Sequence, residues 1–401
     1  MKITLYDWSL ILQMEPGVVS TSSHQELKAM REPAQHMATP RVCVIIPTLR
    51  NAEELNIALT GLSNQTWGGP LEIIIVGPTG DPGEAIAVSK GARWIDDLGS
   101  RTRADACNVA LDHADCDIVL FTDDDVWVPE NWVEKLVKWF EKEDVAGVGG
   151  PNFAPPDSRS TFWQRVIDVT FCSKWVTAGT NYGNRGEKQL TPANQLPGVN
   201  AAYRKSVLDQ VGGFDKGAIG CEDAMMDFRI EKSGHKLWQD RDAIMWHRRR
   251  NPKRVRKQIR NYGLVRILAS HIHPGMKAWS HTAVGLFPPL VLAALSLFTY
   301  GALNGGINWP NVWDISLSSV PMGPERAMVH IPVSLAGLYL LLCWLGAALG
   351  TSPSRKLSTV LMAPLMTFLM HWSYGLGVIT AWWRIYVSKK PGLQIDDKNR
   401  V

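Results

Sequence analysis

The chain has 401 residues, enough for at least two folding units with sizeable cores. A hydrophobic share of 45% and a charged share of 20% are typical of a globular protein. Both values are averages over a chain along which apolar and charged residues are unevenly distributed. Six scattered cysteines without a C-x-x-C pair argue against structural zinc and a disulfide framework. The apolar run Leu10–Leu12 is too short for a signal-peptide core, so the soluble part is expected to be cytosolic.

The first predicted strands begin after a mixed polar extension, residues 1–40, that several prolines interrupt. V-C-V-I-I-P occupies 42–47, and L-E-I-I-I-V-G-P starts at Leu71; both are typical of buried parallel strands. Between them, 52–62 has apolar residues at near-helical spacing. This segment predicts a crossover helix.

The same alternation continues along the chain. Residues 103–113 can form a helix, D-I-V-L-F-T at 117–122 is typical of a strand, and 132–140 places apolar residues on one helical stripe. Alternating strands and helices predict an α/β domain with a mostly parallel sheet over 41–247. Residues 151–198 are rich in Pro, Gly, Asn and Thr and are expected to be irregular segments over the sheet edge.

The last third of the chain contains long uncharged runs. Thr282–Leu303 and Val329–Gly350 each have 22 residues without a charge, and Leu357–Trp383 has 27. At 1.5 Å per residue the shorter runs reach about 33 Å, enough for a hydrocarbon core of about 30 Å. We predict an all-α transmembrane region, 282–387, with about three spans, followed by a polar tail, 388–401.

A strongly basic segment precedes these runs. From Arg248 to Arg260 there are eight basic residues and no acidic one, and Val255, Ile259 and Tyr262 recur at i, i+4 and i+7. The pattern predicts an amphipathic helix at a membrane surface, within an interfacial segment 248–281. Nucleic acid explains the charge less well, because predicted spans follow closely.

The positive charges also predict orientation. Arg248–Lys277 before the first span and Arg355–Lys356 after the second favour the cytosolic side. A complete third span would place Arg384, Lys389 and Lys390 outside, so the last segment is either an exception to this rule or a re-entrant or interfacial one. We expect a multi-pass cell-membrane protein whose 41–247 domain is cytoplasmic.

An acidic motif follows the third predicted strand. F-T-D-D-D-V-W places Asp123, Asp124 and Asp125 at the carboxyl edge, where open α/β sheets bind ligands. Adjacent carboxylates repel one another unless a cation joins them, and oxygen ligands together with substrate phosphates suit Mg²⁺ or Mn²⁺. A solvated acidic turn is the alternative.

A second acidic motif opens a predicted helix that ends near Gly234. Glu222 and Asp223 stand in the first turn, where the helix dipole is expected to lower the pKa of a carboxyl and keep it ionised. Both acids are therefore explained as helix-start residues. The functional interpretation is that one of them is a general base that accepts a proton from an attacking hydroxyl.

Taken together, these motifs resemble the family 2 inverting glycosyltransferases of the GT-A fold. The resemblance rests on their order over Arg41–His247: V-I-I-P-T-L-R-N-A-E-E, L-E-I-I-I-V, R-T-R-A-D-A-C-N, T-D-D-D, N-A-A-Y-R-K-S-V-L-D-Q-V-G-G-F-D, C-E-D and W-H. Q-I-R-N-Y-G-L-V-R followed by apolar helices is similar to the succinoglycan-biosynthesis type of exopolysaccharide transferase.

The resemblance implies roles for individual residues. Asp223 would be the catalytic base and Glu222 would help to position donor or acceptor, while Asn200 would precede the acceptor-facing segment or be a loop amide. In some GT-A enzymes a histidine at the place of His247 is a metal ligand, although a lone histidine can also be structural. The remaining implied roles are metal binding by Asp123, Asp125 and His247, and binding of a nucleoside-diphosphate sugar by Pro47, Thr48, Glu53, Arg103, Asn108, Asp123, Asp124, Gln258, Arg260 and Arg266.

One departure concerns the nucleotide side. The family usually has an acid after the second strand, where this chain has Gly77, with Asp81 four residues later.

The predicted function is metal-dependent transfer of a sugar from a nucleoside-diphosphate sugar to a lipid-linked, polyprenol-linked saccharide at a membrane. One alternative is a polyprenyl-phosphate sugar synthase, whose phosphate acceptor needs no strong base. A processive synthase that exports its chain would need more spans. A non-catalytic sugar-nucleotide-binding subunit of a membrane complex is the other alternative, and the presence of both acidic motifs argues against it.

Overall fold

The computed structural model describes residues 39–173, 176–177, 183, 188–306 and 323–393. The predicted extension, 1–40, lies outside these residues except for its last two positions, and the predicted tail, 388–401, is described only as far as residue 393. The described residues from Pro40 onward belong to one compact unit.

A mixed sheet forms the centre of the first half of the described chain. Its strand order is β3-β2-β1-β4-β9-β6-β10-β8, and a small sheet, β5-β11-β7, lies beside it. The strands are β1 (Val42–Pro47), β2 (Leu71–Gly77), β3 (Arg93–Asp96), β4 (Ile118–Phe121), β5 (Val126–Trp127), β6 (Val145–Gly149), β7 (Asn152–Phe153), β8 (Leu190–Ala193), β9 (Ala201–Arg204), β10 (Lys236–Asp240) and β11 (Met245–His247).

Helices alternate with these strands and then continue alone. The first seven are α1 (Ala52–Ser63), α2 (Gly83–Ser89), α3 (Arg103–Leu111), α4 (Trp132–Val137), α5 (Phe162–Phe171), α6 (Lys205–Val211) and α7 (Glu222–Lys232). The C-terminal ones are α8 (Pro252–Ile272), α9 (Trp279–Ala283), α10 (Phe287–Gly301), α11 (Pro324–Leu349) and α12 (Leu357–Trp382). The predicted strands β1, β2 and β4 and helices α1, α3, α4 and α7 are confirmed.

The central strands are parallel and buried on both faces. Strand β1 pairs in parallel with β2 and β4, so that Ile45 lies between Ile74 and Phe121. Alternate residues of β1 enter two separate cores: Cys43 and Ile45 one, and Val42, Val44 and Ile46 the other. Burial on both faces explains why these strands are continuous apolar runs. Because β1 and β4 run the same way, the loops after them meet at one edge.

The expectation of irregular structure over 151–198 is wrong in part. Helix α5 and strand β8 both lie within it. Helix α5 begins with a capping box in which Thr161 and Gln164 bond to each other's backbone, and its buried face carries Val166, Ile167 and Phe171. The amphipathic period of α5 was hidden in a stretch whose overall composition favours loops.

Helix α8 is the predicted amphipathic helix, but its apolar face has a different partner from the one expected. Val255 and Ile259 are buried against α5 and α12 and so are covered by protein. A Cβ at Gly263 or Gly377 would collide with the backbone of the opposite helix, so these glycines allow α8 and α12 to pack closely. The apolar face of α8 therefore packs inside the protein.

Two segments of the described chain are long and apolar enough to cross a membrane: Trp279–Gly305 and Pro324–Ala348, with mean hydropathies of 1.8 and 1.9. Most of their apolar side chains are exposed, as in Leu290 and Leu335. The third predicted span corresponds to α12, which packs on α8 and α5 and does not meet the same criterion. Of the roughly three predicted spans, two therefore correspond to helices that are long and apolar enough to cross a membrane.

Candidate active site

Two strand ends bring a cluster of potential metal ligands together. Asp123 and Asp125 follow β4, and the antiparallel pairing of β5 with β11 places His247 opposite Val126. The His247 Nε2 atom lies 3.0 Å from Asp125 Oδ1 and 3.9 Å from Asp123 Oδ2. One ligand atom from each residue lies within 4.8 Å of the other two. The strand pairing therefore assembles two carboxylates and an imidazole around one point.

The electrostatics of this cluster suit a divalent cation. Burial works to raise the pKa of Asp125, but the neighbouring His247 and Arg250 outweigh it and hold this pKa below its ordinary value. The His247 Nδ1 atom is buried without a hydrogen-bond partner in the described structure, while Nε2 faces the carboxylates. Carboxylate oxygens are ligands that Mg²⁺ and Mn²⁺ accept, so the three residues fit either ion.

The middle acid of the motif faces a different neighbour. Asp124 accepts hydrogen bonds from Thr48 Oγ1 at 2.6 Å and from Asn51 Nδ2 at 2.9 Å. Burial raises the pKa of Asp124 to about 6, although these two hydrogen bonds act against the rise. Asp124 therefore joins the β4 loop to the β1 loop, and both of its carboxylate oxygens are engaged there.

Arg103 connects the two acidic motifs. Arg103 is the first residue of α3, and its Nε donates to Asp123 Oδ1 at 2.9 Å. Its Nη2 donates to the Gly198 carbonyl at 2.8 Å, and its Nη1 lies 3.8 Å from Glu222 Oε1. Burial works to lower the pKa of Arg103, but Asp123 and Glu222 together raise it above the ordinary value. The guanidinium thus stays charged between carboxylates 99 positions apart in sequence.

The two acids at the start of α7 differ in their surroundings. Asp223 accepts a hydrogen bond from the Gly198 backbone N–H at 3.2 Å and one from Ala224 N–H at 2.8 Å, so its carboxylate is oriented by main chain. Burial, and then the charge of Asp223, raise the pKa of Glu222 to about 7. The expectation that the helix dipole keeps both pKa values low is therefore wrong for Glu222, because burial dominates.

A single cleft of about 970 Å³ contains both acidic motifs. It runs from the loops after β1 and β4, past the start of α7, to α9 and α12. Its polar lining before α8 includes Thr48, Arg50, Asn51, Asp97, Arg103, Asp123, Asp124, Asp125, Glu222 and Asp223. A cleft of this size and polarity is suited to a small-molecule substrate.

Most residues expected to bind the donor line this cleft, but three do not. Pro47, Thr48, Arg103, Gln258 and Arg266 line it together with the acids, whereas Glu53, Asn108 and Arg260 are not among its lining residues, so the structure gives no support to a donor-binding role for these three.

Each of the three has another environment. Glu53 is exposed, and its neighbour Glu54 pairs with Arg248 at 2.8 Å. Asn108 exchanges two hydrogen bonds with the backbone of Phe214, and so fastens the loop after α6 to α3. Arg260 is exposed on the side of α8 that faces away from the cleft.

Asn200 and Asp81 also have structural partners. Asn200 is fully buried, accepts a hydrogen bond from Trp132 Nε1 at 2.7 Å, and is thus a loop amide. Asp81, after β2, accepts a hydrogen bond from the backbone N–H of Arg50 at 2.6 Å. Arg50 lies in the loop after β1 and has a left-handed φ of 53°. Asp81 therefore shapes the backbone beside the cleft.

Sequence reasoning missed several cleft arginines. Two of them, Arg250 and Arg254, line the cleft close to the start of α8. Their only signal was membership of the basic run at 248–260, which does not show which basic residues face inward. Arg254 could have been found by helical phase, since it precedes Gln258 by four positions.

Comparisons with known proteins agree with this architecture. Residues 43–212 match the family described as Glycosyl transferase family 2. The probable glycosyltransferase YdaM of Bacillus subtilis is 23% identical over 218 residues, which cover 52% of this chain and 50% of YdaM. The succinoglycan biosynthesis protein ExoA of Rhizobium meliloti is 27% identical over 203 residues, covering 49% of this chain and 53% of ExoA. The chain matches about half the length of these curated relatives.

Among solved structures, the mannosyltransferase PcManGT from Pyrobaculum calidifontis, in complex with GDP-Man and Mn²⁺, superposes with a TM-score of 0.53 at 18% identity. The superposition covers 90% of this chain and 93% of that one, which extends the likeness beyond the sheet to the C-terminal helices. The mostly parallel sheet and the family match together confirm the expected fold. Residues 43–212 thus resemble glycosyl transferase family 2, and the chain has the GT-A fold.

Proposed function

We propose that the protein is a membrane-associated, metal-dependent inverting glycosyltransferase that moves a sugar from a nucleoside-diphosphate sugar to a lipid-linked saccharide. The observation that carries this proposal is the shared cleft, in which Asp123, Asp125 and His247 lie on one side and Asp223 on the other. Arg103 pairs with Asp123 on the first side and lies 3.8 Å from Glu222, the neighbour of Asp223, on the second. A cleft with a cation site beside an oriented carboxylate suits transfer from a diphosphate to a hydroxyl.

The residues divide the reaction between them. When bound by Asp123, Asp125 and His247, a Mg²⁺ or Mn²⁺ ion would offset the charge of the leaving diphosphate. Asp223 accepts the proton of an acceptor hydroxyl while the oxygen of that hydroxyl forms a bond to the anomeric carbon. The bond from that carbon to the diphosphate oxygen breaks on the opposite face. In-line displacement in one step inverts the anomeric configuration.

The membrane end of the cleft supports a lipid-borne acceptor. Here the C-terminal helices contribute the apolar Val284 and Met370 and the amphipathic Tyr374, beside the polar Ser280 and His281. Ser280, His281 and Val284 belong to Trp279–Gly305, one of the two segments that are long and apolar enough to cross a membrane. Among the curated relatives, ExoA is named for succinoglycan biosynthesis and WbaN of Salmonella anatum is named an O-antigen chain rhamnosyltransferase. These names support a role in polysaccharide or glycan assembly.

The proposed location follows from charge. Basic residues dominate α8 and the loop before α12, and cytoplasmic segments of membrane proteins carry such an excess. We infer that the domain 41–247 faces the cytoplasm, where nucleotide sugars are made, and that 248–281 lies at the membrane surface with its basic side outward. The transmembrane region would begin near residue 282.

The test is a transfer assay with membranes that contain the full-length protein. The membranes are incubated with a panel of labelled nucleoside-diphosphate sugars and lipid extract, with and without EDTA, and the labelled glycolipid is analysed. We expect labelling from one donor that EDTA abolishes and Mn²⁺ or Mg²⁺ restores. Asp125→Ala and Asp223→Asn should abolish it, whereas Glu53→Gln, outside the cleft, should not.

Two outcomes would overturn the proposal. Labelling that survives both EDTA and Asp125→Ala would exclude the metal-dependent mechanism. Labelling of a polyprenyl phosphate that Asp223→Asn leaves intact would instead indicate a polyprenyl-phosphate sugar synthase, since a phosphate acceptor is already ionised and needs no base.

A further inference from the structure

One face of α8 forms a polar stripe along the cleft. Its members all line the cleft and recur at i, i+4, i+7, i+8 and i+12, which is the spacing of a single helical face. They are Arg254, Gln258, Asn261, Tyr262 and Arg266. At 1.5 Å per residue the stripe is about 18 Å long, so its two ends can serve different groups.

The first end of the stripe lies beside the metal cluster. Helix α8 begins at Pro252, five residues after His247, so Arg254 is in its first turn. Arg250 precedes the helix and lies close enough to Asp125 to lower the pKa of that carboxyl. Arg250, just before α8, and Arg254, in its first turn, are thus cleft-lining cations at the metal end of the stripe.

The second end lies beyond the proposed base. Arg266 donates a hydrogen bond of 2.8 Å to Gln195 Oε1, in the same loop as Gly198, which binds Asp223. Burial raises the pKa of Cys221, the residue before α7, to about 11, while the charge of Arg266 acts to lower it. Arg266 therefore lies beside the start of α7, separated from the metal cluster by several turns of α8.

The same end of the cleft is the one that the membrane helices approach. Ser280, His281 and Val284 line it from α9 and the turn after it, and Tyr374 lines it from α12. A group held here would stand between the Asp223 side of the cleft and the apolar helices.

Two polar atoms at this end lack partners among the described residues. Asn261 is only 7% exposed, and its Nδ2 has no hydrogen-bond partner. The Nδ1 atom of His281 is also buried without one. Buried polar groups are nearly always hydrogen-bonded, so an unpaired donor in the wall of a cleft points to a ligand with acceptor oxygens.

We propose, on the basis of the function proposed above, that Arg266 and Asn261 bind the phosphate or diphosphate that joins the acceptor saccharide to its lipid. Arg250 and Arg254 then serve the donor diphosphate at the other end of α8. This assignment revises the donor role of Arg266 that the family resemblance implies. It also requires an acceptor saccharide short enough for its reacting hydroxyl to reach Asp223 while its phosphate lies at Arg266.

Binding measurements on the purified full-length protein in detergent separate the two ends. The probes for the acceptor end are farnesyl diphosphate, inorganic pyrophosphate and farnesol, and those for the donor end are UDP and GDP with Mn²⁺. We expect Arg266→Gln to lower the affinity for farnesyl diphosphate about 10- to 100-fold, the effect of losing a charge-assisted hydrogen bond. The affinity for whichever of UDP and GDP binds more tightly to the wild type should stay unchanged. Asn261→Ala should act in the same direction, and Arg266→Lys should restore part of the affinity.

Two control variants lie on the same helix. Arg254→Gln should lower the affinity for the nucleotide and leave the affinity for farnesyl diphosphate unchanged. Arg260→Gln, outside the cleft, should change neither affinity. Pyrophosphate binding that equals farnesyl diphosphate binding would show a free-anion site and overturn the assignment to a lipid. Loss of nucleotide affinity in Arg266→Gln would return Arg266 to the donor. Failure of the proposed function itself would appear separately, as the absence of sugar transfer from every donor in the wild-type protein.

Discussion

The Arg103 guanidinium holds one carboxylate oxygen of Asp123 at 2.9 Å and leaves the other oxygen facing His247. Asp123 thereby has a fixed orientation in the potential metal cluster. Residues that hydrogen-bond to a metal ligand and fix its orientation commonly contribute 10- to 100-fold to metal affinity. The same guanidinium pairs with Glu222, so the metal side and the base side of the cleft share one cation.

Removal of that cation is expected to weaken metal binding without removing a ligand. For Arg103→Ala we predict a Mn²⁺ affinity about 10- to 100-fold below that of the wild type, because Asp123 loses its orientation. Electron paramagnetic resonance of free Mn²⁺ during a titration measures this directly. Arg93→Ala, which breaks the exposed pair with Glu72, is the control and should bind normally. Unchanged affinity in Arg103→Ala would contradict the orienting role.

The ligand set itself makes a stronger prediction. His247→Ala and Asp125→Ala should each abolish measurable Mn²⁺ binding at concentrations that saturate the wild type, since each removes one of the three proposed protein ligands. His235→Ala tests whether any histidine has this effect, because His235 is half-buried, bonds to Gln210 and does not line the cleft. Retention of full Mn²⁺ affinity by His247→Ala would show that the cluster has only two protein ligands.

Glu222 should give the protein a stability that depends on pH. Its pKa is raised by burial to about 7, so the folded protein holds a proton that the unfolded chain releases near the ordinary value of 4.5. The folded state binds more protons between these values, and stability therefore falls as pH rises from 4.5 to about 7. We predict that Glu222→Gln reduces this fall. Melting temperatures of both proteins at pH 5 and pH 7.5 measure it; parallel decreases would refute the prediction.

A buried ion pair connects the domain with the membrane region. Asp168 on α5 accepts Arg249 Nε at 2.8 Å and the hydroxyl of Ser352, in the loop between α11 and α12, at 2.5 Å. Both charged side chains are almost fully buried. Asp168→Ala would leave Arg249 without this carboxylate, at an expected cost of about 3–5 kcal/mol in the free energy of unfolding.

Thermal or denaturant unfolding of the full-length protein checks this cost. A matched variant is Asp157→Ala, which breaks the exposed pair with Arg159. It should change the melting temperature little, because solvent screens surface pairs. Equal destabilisation by the two variants would mean that burial of the Asp168 pair adds nothing.

The sequence alone was enough to predict the elements whose signals are local. Strands β1, β2 and β4 were readable as apolar runs because the sheet is buried on both faces. The acids of the two motifs were readable because they directly follow β4 and begin α7. The place of both motifs in one cleft was only a prediction, and the resemblance to a family supported it.

Tertiary packing decided which members of each motif face the cleft. Glu53 and Arg260 have the residue types and positions of donor-binding residues, but Glu53 is exposed beside Glu54 and Arg260 points away from the cleft. Which face of a helix borders the cleft depends on the elements packed beside it, and for α8 these are α5 and α12, which contact the cleft-lining Ile259 and Tyr262. The sequence likewise predicted a membrane helix at 357–383, but only the folded structure shows that much of its apolar surface is covered by α8 and α5.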